Sequence, residues 1–491
     1  AVRWSARAQA DRTGLMADVA VPAPRVRALV LAAGAGSRFG GGKLLARVDG
    51  RPVLQHVLDA LAQVGFDDPV VVLGPDAELP AIDWRHAERV TNPDPGRGLA
   101  SSLQIGWQQA VKVEAAPDAV LIVLGDQPLV SADVIRAVAE AALDGSRPIV
   151  AARYTGTGAH NPVRVEASAG WLIAEATGDR GLGPALAQHA ELVRWIEVEG
   201  DNPDVDTAAD LAHVAELAWA TRVRRNREQV DRLREAPDGA DFYASVSSIF
   251  RDDPDRTGDA VLDALLAHAR PEDEWLDIGA GAGRYALPLA RTVRRVIALD
   301  PSRSMLAALR ESMADHTIDN VEVLEGRWPA VAGEHEALAQ ELRVDVTLIA
   351  HVGYDVEAIG PFLDAMERAA RRECVAVLME RSPASLAEAF WPPIHGEARI
   401  ALPALPAFVD LLRARGREPS VAMVESSRRK WASREEVEPY VRRQTWVAPG
   451  SAKHRRMLEL LDEWLVTDAD GSVELAVAEP LRVGLVAWRP R

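Results

Sequence analysis

The sequence predicts an α/β protein made of two successive domains, each a sheet covered by helices on both faces. Short apolar runs alternate with helical stretches in both halves of the chain. In each half an apolar run leads into a glycine-rich loop and then a helix, at 28–43 and again at 274–290. A length of 491 residues also requires more than one core, because single cores stop growing at roughly 250–300 residues.

Composition excludes several classes of function. The net charge of −17 argues against a general nucleic-acid binder, which carries an excess of basic residues. The single cysteine rules out an internal disulfide and a cysteine-based zinc cage. No apolar run is long enough to span a membrane, and residues 1–24 lack the apolar core of a signal peptide. We therefore expect a cytoplasmic protein with a loose N-terminal extension at 1–24.

Regular elements of the first half follow from its apolar pattern. Apolar runs predict strands at 28–31, 70–73, 119–124 and 148–152. Helical stretches between them predict helices at 52–64, 99–111 and 131–143. Pro52 is permitted in a first turn, and Ser131 is a suitable N-cap.

The loop that follows the first strand combines glycines with positive charge. Gly34 and Gly36 let the backbone bend and bring its N–H groups close to an anion, and Arg38 and Lys43 supply charge. The spacing fits neither common phosphate loop, because Leu44 rather than Ser or Thr follows Lys43 and no clean G-x-G-x-x-G is present. The residue types still point to a bound phosphate.

Residues 31–45, LAAGAGSRFGGGKLL, closely resemble the signature loop of the nucleotidyltransferases related to molybdenum cofactor guanylyl- and cytidylyltransferases. The resemblance implies a Rossmann-like, GT-A-like three-layer domain at 25–220 whose loop wraps a nucleoside triphosphate. Arg38 and Lys43 would neutralise the departing pyrophosphate, and the opening LAAG is similar to the members that use CTP. The nucleotide-binding residues implied in this loop are Leu31, Ala32, Ala33, Gly34, Gly36 and Lys43.

The strand predicted at 119–124 ends directly on Gly125, Asp126 and Gln127. Ligands of open α/β sheets bind at the carboxyl ends of strands, so we expect Asp126 in the same crevice as the glycine loop. A carboxylate there suits Mg²⁺, which takes one or two carboxylates together with phosphate oxygens. The alternative is that Asp126 caps the following turn or helix.

Residues 201–211, DNPDVDTAADL, resemble a late segment of the same family in which the aspartate before the threonine is the second metal ligand. The metal ligands implied are therefore Asp126 and Asp206. Thr207 or Asp210 would instead stabilise the start of the helix that follows. The catalytic residues that the resemblance implies are Arg38, Lys43, Asp126 and Asp206.

Further segments are similar to the cytidylyltransferase subfamily. GRGLASSLQIG resembles an element near the nucleotide base, which would place Ser101 and Ser102 there. Residues 178–186 resemble a segment that faces the pterin. Residues 158–163 depart from the usual GHPV by the insertion of Asn161, which leaves the acceptor substrate open.

The resemblance implies that a phosphate of molybdopterin cofactor attacks the α-phosphorus of CTP in the presence of Mg²⁺ and that pyrophosphate leaves. Positioning and charge neutralisation would supply the rate without a protein nucleophile. Rivals are a nucleotidyltransferase for another phosphate acceptor and a molybdenum cofactor carrier without turnover. The expected partners are the nucleotide, molybdopterin cofactor and a molybdoenzyme or its chaperone, with no nucleic acid and no membrane.

Residues 222–234 form a basic and polar helical stretch with few apolar positions. Such charge runs are typical of solvated helix faces. We therefore predict a linker helix at 221–245 and a second domain at 246–491.

The second glycine loop follows a strand predicted at 275–278, and the next strand, at 295–300, ends on Asp300. A carboxylate at that place can accept both hydroxyls of a ribose. From Gly281 onward, GAGRYA fits the dinucleotide pattern, so an NAD domain is one interpretation. Asp277 beside the loop favours a ligand without phosphate, because its charge would repel a pyrophosphate.

The stretch LDIGAGAGR closely resembles motif I of the class I S-adenosylmethionine-dependent methyltransferases. The resemblance implies a second Rossmann-like domain that methylates an acceptor the sequence does not name. The methionine part of S-adenosylmethionine would lie against Asp277 and the loop, and its ribose against Asp300. The binding residues implied are Asp277, Gly279, Gly281, Gly283 and Asp300.

Later strands are predicted at 321–329, 344–354 and 374–380, with a closing antiparallel pair at 473–479 and 482–488. The end of the strand at 344–354 places His351 and Tyr354 near the methyl donor, with His351 a candidate base or a structural histidine. Cys374 in an apolar strand is expected to be inert core. The segment 382–472 is expected to cover the site and select the acceptor.

Overall fold

Two α/β units make up the computed structural model. It describes residues 24–34, 36–75, 77–113, 115–156, 160–235, 251–329, 342–424, 428–480 and 482–491. The chain divides into the units between Val214 and Ala215, and each unit contains one seven-stranded sheet. Within these ranges, no helix combines the length and apolarity that crossing a bilayer requires. Most of the predicted extension at 1–24 lies outside the described residues.

The first unit alternates strands with helices, as predicted. Its strands are β1 Val26–Ala32, β2 Arg47–Val48, β3 Arg51–Pro52, β4 Val70–Leu73, β5 Glu88–Thr91, β6 Ala119–Leu124, β7 Ile149–Tyr154, β8 Val163–Glu166 and β9 Val193–Val198. Its helices are α1 Val53–Ala62, α2 Leu99–Val111, α3 Ala132–Ala139, α4 Trp171–Glu175, α5 Gly183–Gln188 and the start of α6 Ala208–Leu233. Ser131 is the N-cap of α3, because its hydroxyl accepts from the N–H of Val134 at 3.3 Å.

The order of the first sheet explains where its site lies. The strands run β5-β4-β1-β6-β8-β7-β9, and β1 is parallel to both of its neighbours. Alternate residues of β1 enter two different cores, with Leu29 and Leu31 in one and Val30 and Ala32 in the other, so helices cover both faces. The carboxyl ends of β1 and β6 are therefore adjacent, and the segments that follow them share one edge of the sheet.

Arg164 on β8 is a fully buried cation in this unit. Its guanidinium donates to the carbonyl of Ala139, the last residue of α3, at 3.0 Å and to the carbonyl of Ala141 just beyond the helix. Helix ends leave carbonyls without intrahelical partners, and a cation there also favours the helix dipole. Arg164, which lies in the sheet, therefore supplies hydrogen-bond donors to the carbonyls at the carboxyl end of α3.

The stretch predicted as a linker is the second part of α6, which belongs to the second unit. Val223 and Val230 on one side of it are buried, and the N–H of the Trp219 ring donates to the carbonyl of Val356 at 2.9 Å. The side chain of Gln229 also accepts from the N–H of Ile400 at 2.7 Å. The prediction of a solvated helix is thus wrong for this side, because its few apolar residues lie on one face. Residues 236–245 of the predicted linker lie outside the described ranges.

The second unit repeats the strand–helix alternation. Its strands are β10 Glu274–Ile278, β11 Arg295–Asp300, β12 Val321–Glu325, β13 Val344–Ala350, β14 Ala370–Met379, β15 Ser420–Val424, β16 Leu465–Thr467, β17 Val473–Leu475 and β18 Val483–Trp488. Beyond α6, its helices are α7 Ala260–Leu266, α8 Ala286–Ala290, α9 Arg303–Asp315, α10 Ile359–Ala369, α11 Trp391–His395, α12 Leu405–Ala414, α13 Arg434–Thr445 and α14 Ala452–Trp464. A 3₁₀ segment, Pro383–Phe390, precedes α11.

The second sheet runs β12-β11-β10-β13-β14-β18-β15, with β10 parallel to β11 and to β13. The strand order therefore reverses at β10, which puts the glycine loop at the switch point. The predicted closing pair is wrong: β17 pairs with β16 in a separate hairpin, whereas β18 lies antiparallel between β14 and β15. Cys374 in β14 is fully buried, and burial raises the pKa of its thiol to about 12, which confirms an inert core position.

Residues of the segment 382–472 build a hydrophobic cluster of their own. Phe390, Trp431, Val437 and Met457 are among its buried members, and β17 closes it with Val473. This cluster gives the segment a packed core beside the main sheet of the second unit.

Candidate active sites

The loop after β1 folds over the lysine that follows it. The N–H groups of Phe39, Gly40 and Gly41 donate to the carbonyl of Gly36 at 2.9, 3.1 and 3.1 Å. The aliphatic stem of Lys43 packs against Gly36, where a Cβ would come within 3.4 Å of it. Lys43 is only 7% exposed, and a buried ammonium requires negative partners.

Two aspartates from distant parts of the chain supply those partners. Nζ of Lys43 lies 2.6 Å from Oδ2 of Asp126 and 3.0 Å from Oδ1 of Asp206. Burial would lower the pKa of Lys43, but the attraction of Asp126 and then of Asp206 outweighs it and raises that pKa. Arg38 donates to the other carboxylate oxygen of Asp206 at 2.7 Å. The four residues implied as catalytic therefore meet in one cluster.

A third aspartate, Asp204, lines the same cavity, and sequence reasoning missed it. The N–H of buried Val205 donates to the carbonyl of Asp126 at 3.0 Å, which places Asp204 and Asp206 on either side of that anchor. The side chain of Asp204 remains in contact with water. Partial desolvation is the first cause that raises its pKa, and the negative charge of Asp126 is the second; together they bring it to about 6. The D-x-D spacing at 204–206 was the available signal.

The start of α2 forms another part of the wall. The amide nitrogen of Asn92 donates to the hydroxyls of Ser101 and Ser102 at 2.9 Å each, and Ser101 donates to the carbonyl of Gly98 at 2.8 Å. Ser102 lines the cavity, whereas Ser101 is buried behind the wall. Because the Ser102 oxygen accepts from Asn92, its own O–H remains available to donate to a nucleotide base.

Gly98 lets a second loop approach this wall. Its φ is 91°, and a Cβ at this position would lie 2.5 Å from the carbonyl carbon of Gly178. Only glycine therefore lets the turn at 178–180 pack against the start of α2. The contact brings Asp179 into the cavity wall, so the segment predicted to face the pterin borders the site.

The first cavity has a volume of about 480 Å³, and every predicted site residue of this unit except Ser101 lines it. The segment at 158–163 is described only from residue 160 onward. His160 packs against Trp195 with ring centroids 4.9 Å apart and lies outside the cavity wall.

The acidic side chains of this cavity fit a divalent cation. The wall carries four carboxylates, from Asp126, Asp179, Asp204 and Asp206, and only two positive side chains, Lys43 and Arg38. Desolvation is the larger cause of the raised pKa of Asp204, and the negative charge of Asp126 adds to it. Carboxylate oxygens are the ligands that Mg²⁺ prefers.

The second glycine loop lines a cavity of about 810 Å³ in the second unit. Of the predicted binding residues, Asp277, Gly279, Gly281 and Asp300 line it. Gly283 lies outside the wall: its φ is 91°, and a Cβ there would lie 2.5 Å from a methyl carbon of Leu309 in α9. Gly283 thus allows close packing against α9, and its predicted contact with the methyl donor stays a prediction.

Two carboxylates at the ends of β10 and β11 differ in their surroundings. Asp300 accepts from the N–H groups of Gly281 at 2.9 Å and Ser302 at 2.8 Å. Asp277 is 2% exposed, and its Oδ1 has no partner among the described residues. Burial and then repulsion by Asp300 raise the pKa of Asp277 to about 7. A buried carboxyl without a partner in a cavity wall fits a cationic group of a ligand, such as an amino acid ammonium.

His351, but not Tyr354, lies in this wall. Burial and then the charge of Arg284 lower the pKa of His351 to about 4, so its imidazole is neutral near pH 7. Its Nδ1 has no partner in the part of the chain that the structure describes. The hydroxyl of Tyr354 instead accepts from the N–H of Met379, a wall residue, at 2.7 Å.

Charged wall residues that sequence reasoning missed are Asp252, Asp259, Arg284, Arg428, Arg429 and Lys430. Pro383 and Leu386 also line the cavity, so the segment 382–472 borders the site as expected. The run of three basic residues at 428–430 within that segment was a visible signal.

Known proteins resemble the two units separately. Residues 28–193 match the family model of the MobA-like NTP transferase domain, and residues 276–373 match that of a methyltransferase domain. A phosphoenolpyruvate guanylyltransferase of Sphaerobacter thermophilus is 32% identical over 171 residues, which cover 33% of this chain and 77% of that protein. The bifunctional protein GlmU of Parvibaculum lavamentivorans is 35% identical over 138 residues, which cover 25% of this chain and only 28% of that protein.

Among solved structures, Rv0371c of Mycobacterium tuberculosis H37Rv is 27% identical, with 40% of this chain and 99% of that chain covered and a TM-score of 0.35. The family model covers the part of the first unit that contains Lys43 and Asp126. This chain therefore belongs to the family of MobA-like NTP transferases, and a methyltransferase domain follows in the same chain.

Proposed function

We propose that the first unit transfers CMP from CTP to a phosphate of molybdopterin cofactor with Mg²⁺ and releases pyrophosphate. We further propose that the second unit methylates a small molecule with S-adenosylmethionine. The observation that supports the first activity is the contact of Lys43 with Asp126 and Asp206 beneath the glycine loop. A protein that only bound a nucleotide would not need this pairing of a cation with two carboxylates.

In this proposal the chain acts by positioning and by charge. Arg38, Lys43 and the N–H groups of the loop would bind the departing phosphates, while Asp126 and Asp206 would hold Mg²⁺. Bound Mg²⁺ would draw charge from the α-phosphate. An oxygen of the acceptor phosphate bonds to the α-phosphorus as the bond to the bridging oxygen of pyrophosphate breaks, so no protein nucleophile is needed.

The choice of CTP rests on the base end of the cavity. Ala33 stands where the GTP-using relatives of the molybdenum cofactor enzymes usually have glycine, as the resemblance implies. Ser102, held by Asn92, can donate to an acceptor on the base. Cytosine presents such acceptors at O2 and N3, and guanine also presents acceptors, so the preference for CTP rests on Ala33.

A second candidate is guanylyl transfer to a small phosphorylated acid. The identity of 32% with a phosphoenolpyruvate guanylyltransferase, across 77% of that protein, favours this candidate. The similarity of residues 178–186 to a pterin-facing segment supports molybdopterin instead, and Asp179 of that segment lines the cavity. With molybdopterin as acceptor, a molybdoenzyme or its chaperone would receive the product.

The proposed methyl transfer rests on the second cavity. Asp277 is available for the ammonium of the methyl donor, and Asp300 lines the same wall for its ribose. The methyl carbon would leave the sulfonium, which becomes a neutral thioether, and bond to a nucleophilic atom of the acceptor. The neutral imidazole of His351 is available to take the proton that the acceptor loses.

Pyrophosphate release with each ribonucleoside triphosphate, Mg²⁺ and either molybdopterin cofactor or phosphoenolpyruvate tests the first activity. We expect release with CTP and molybdopterin. Release with GTP and phosphoenolpyruvate would replace the proposal with the second candidate, and nucleotide binding without release would favour a carrier. Calorimetry with S-adenosylhomocysteine tests the second unit, and absence of binding would contradict the methyl donor.

A further inference from the structure

The second cavity has charges of both signs, on different elements. Asp277 and Asp300 stand at the ends of β10 and β11. A basic strip, which we define as Arg428, Arg429 and Lys430, lines the same cavity and leads into the cluster around Trp431. The donor would occupy the acidic part, so the strip is available to another ligand.

Nearby carboxylates neutralise the three positive charges of the basic strip to different extents. Lys430 pairs with Asp468 at 2.5 Å, and Arg428 donates more loosely to Glu474 at 3.4 Å. Arg429 is exposed and has no carboxylate within ion-pair distance among the described residues. Its positive charge is therefore free to meet an anion that enters the cavity.

Aromatic rings hold the guanidinium of Arg429 in place. It lies 5.3 Å from the ring centroid of Trp431 and 5.0 Å from that of Tyr440. Cation–π contacts of this kind restrict the side chain and leave the N–H groups at the edge of the guanidinium plane available to an oxyanion. A flexible surface arginine would lose more conformational freedom on binding.

Apolar side chains also line this cavity, and the hydroxyl of Tyr440, whose ring contacts Arg429, donates to the carbonyl of Pro383 at 3.0 Å. Met379, Pro383 and Leu386 line the cavity together with the basic strip. We propose that the methyl acceptor is a small organic anion whose carboxylate or phosphate binds Arg429 and whose apolar body lies along Met379, Pro383 and Leu386. This inference rests on the proposed methyl transfer and names the class of its acceptor.

The test uses the full chain saturated with S-adenosylhomocysteine, and calorimetry or ligand-observed NMR with three probes of similar size. Phenyl phosphate and benzoate carry the two candidate anions, and benzamide is their neutral counterpart. We expect at least one anion to bind and benzamide not to bind, and the preferred anion distinguishes a phosphate from a carboxylate acceptor. The Arg429→Gln variant should weaken anion binding by roughly tenfold, because a charge-assisted contact is lost.

Two further variants separate charge from folding. Arg429→Lys keeps the charge and should retain most of the anion affinity. Arg434→Gln removes a partly exposed arginine that pairs with Asp462 outside the wall and should leave the affinity unchanged. Equal binding of benzamide, binding of no probe, or full anion affinity in Arg429→Gln would overturn the inference. Binding of S-adenosylhomocysteine is measured before any probe is added. If it does not bind, the proposed methyl transfer is overturned instead.

Discussion

The ammonium nitrogen of Lys43 lies 2.6 Å from a carboxylate oxygen of Asp126, although 83 positions separate the two residues in the sequence. The contact exists because β1 and β6 are parallel neighbours, so the segments that follow them meet at one edge of the sheet. Asp206 then reaches the same ammonium from the start of α6.

Replacement of this ammonium should impair catalysis far more than folding. We expect Lys43→Met to lower kcat/KM for pyrophosphate release on the order of 10²- to 10³-fold, because a fixed positive charge no longer faces the departing phosphates. Lys112→Met, at an exposed lysine at the end of α2, is the matched control and should change little. A loss below about threefold in Lys43→Met would mean that the charge is not used in the reaction.

Asn92 should act on the nucleotide through Ser102. Asn92→Ala removes the donor that orients the Ser102 hydroxyl, so we expect KM for the nucleotide to rise by roughly tenfold with a smaller change in kcat. Ser102→Ala should have a similar effect, and the double variant should be no worse than either single variant. Additive losses in steady-state kinetics would show that the two side chains act independently.

The pKa of Asp277 predicts a dependence of stability on pH. Its folded-state pKa, about 7, is above the ordinary value of 3.8, so the folded state binds more protons than the unfolded state between these values. The free energy of unfolding should therefore fall as pH rises from about 4 to about 7, by roughly 1–3 kcal/mol from this group.

Asp277→Asn removes this titration. The stability of the variant relative to the wild type should increase with pH up to about 7 and then level off. Scanning calorimetry can follow the transition of the second unit, which S-adenosylhomocysteine should shift in the wild type. Asp263→Asn, at an exposed position of α7, is the control. A stability difference between Asp277→Asn and the wild type that is independent of pH would contradict the raised pKa.

Arg164 should be important for the stability of the first unit. Arg164→Met leaves the carbonyls of Ala139 and Ala141 without their donor, and we expect a loss of roughly 2–4 kcal/mol in the free energy of unfolding. Arg194→Met, at an exposed arginine of β9, should cost little. Equal thermal transitions of the two variants would show that the buried guanidinium is dispensable.

Strands that coincide with one continuous apolar run could be predicted from the sequence. The strands at 70–73 and 119–124 match the structure to the residue, because each is an unbroken apolar run bounded by turn residues. Asp126 was predictable for the same reason, since it directly follows such a run. The pairing of β17 and β18 was not, because strand partners depend on contacts distant in sequence that periodicity does not encode.

Other predictions failed or were missed because the role of the residue depends on tertiary contacts that cannot be read from the sequence. Asp204 contributes to the first cavity because buried Val205 anchors its segment to the carbonyl of Asp126. Gly283 matches a binding motif, and its close packing against Leu309 could not be read from that motif. The buried side of α6 was missed because few of its residues are apolar, although Val223 and similar positions share one face.

The most direct test of two activities in separate sites is the variant Asp126→Ala, assayed for pyrophosphate release and for S-adenosylhomocysteine binding in the same preparation. Asp126 belongs to the first cavity and contacts Lys43, whereas the residues proposed for the methyl donor line the second cavity. We predict that pyrophosphate release is abolished and that the affinity for S-adenosylhomocysteine is unchanged. Loss of both in a variant that remains folded would contradict the two-site account.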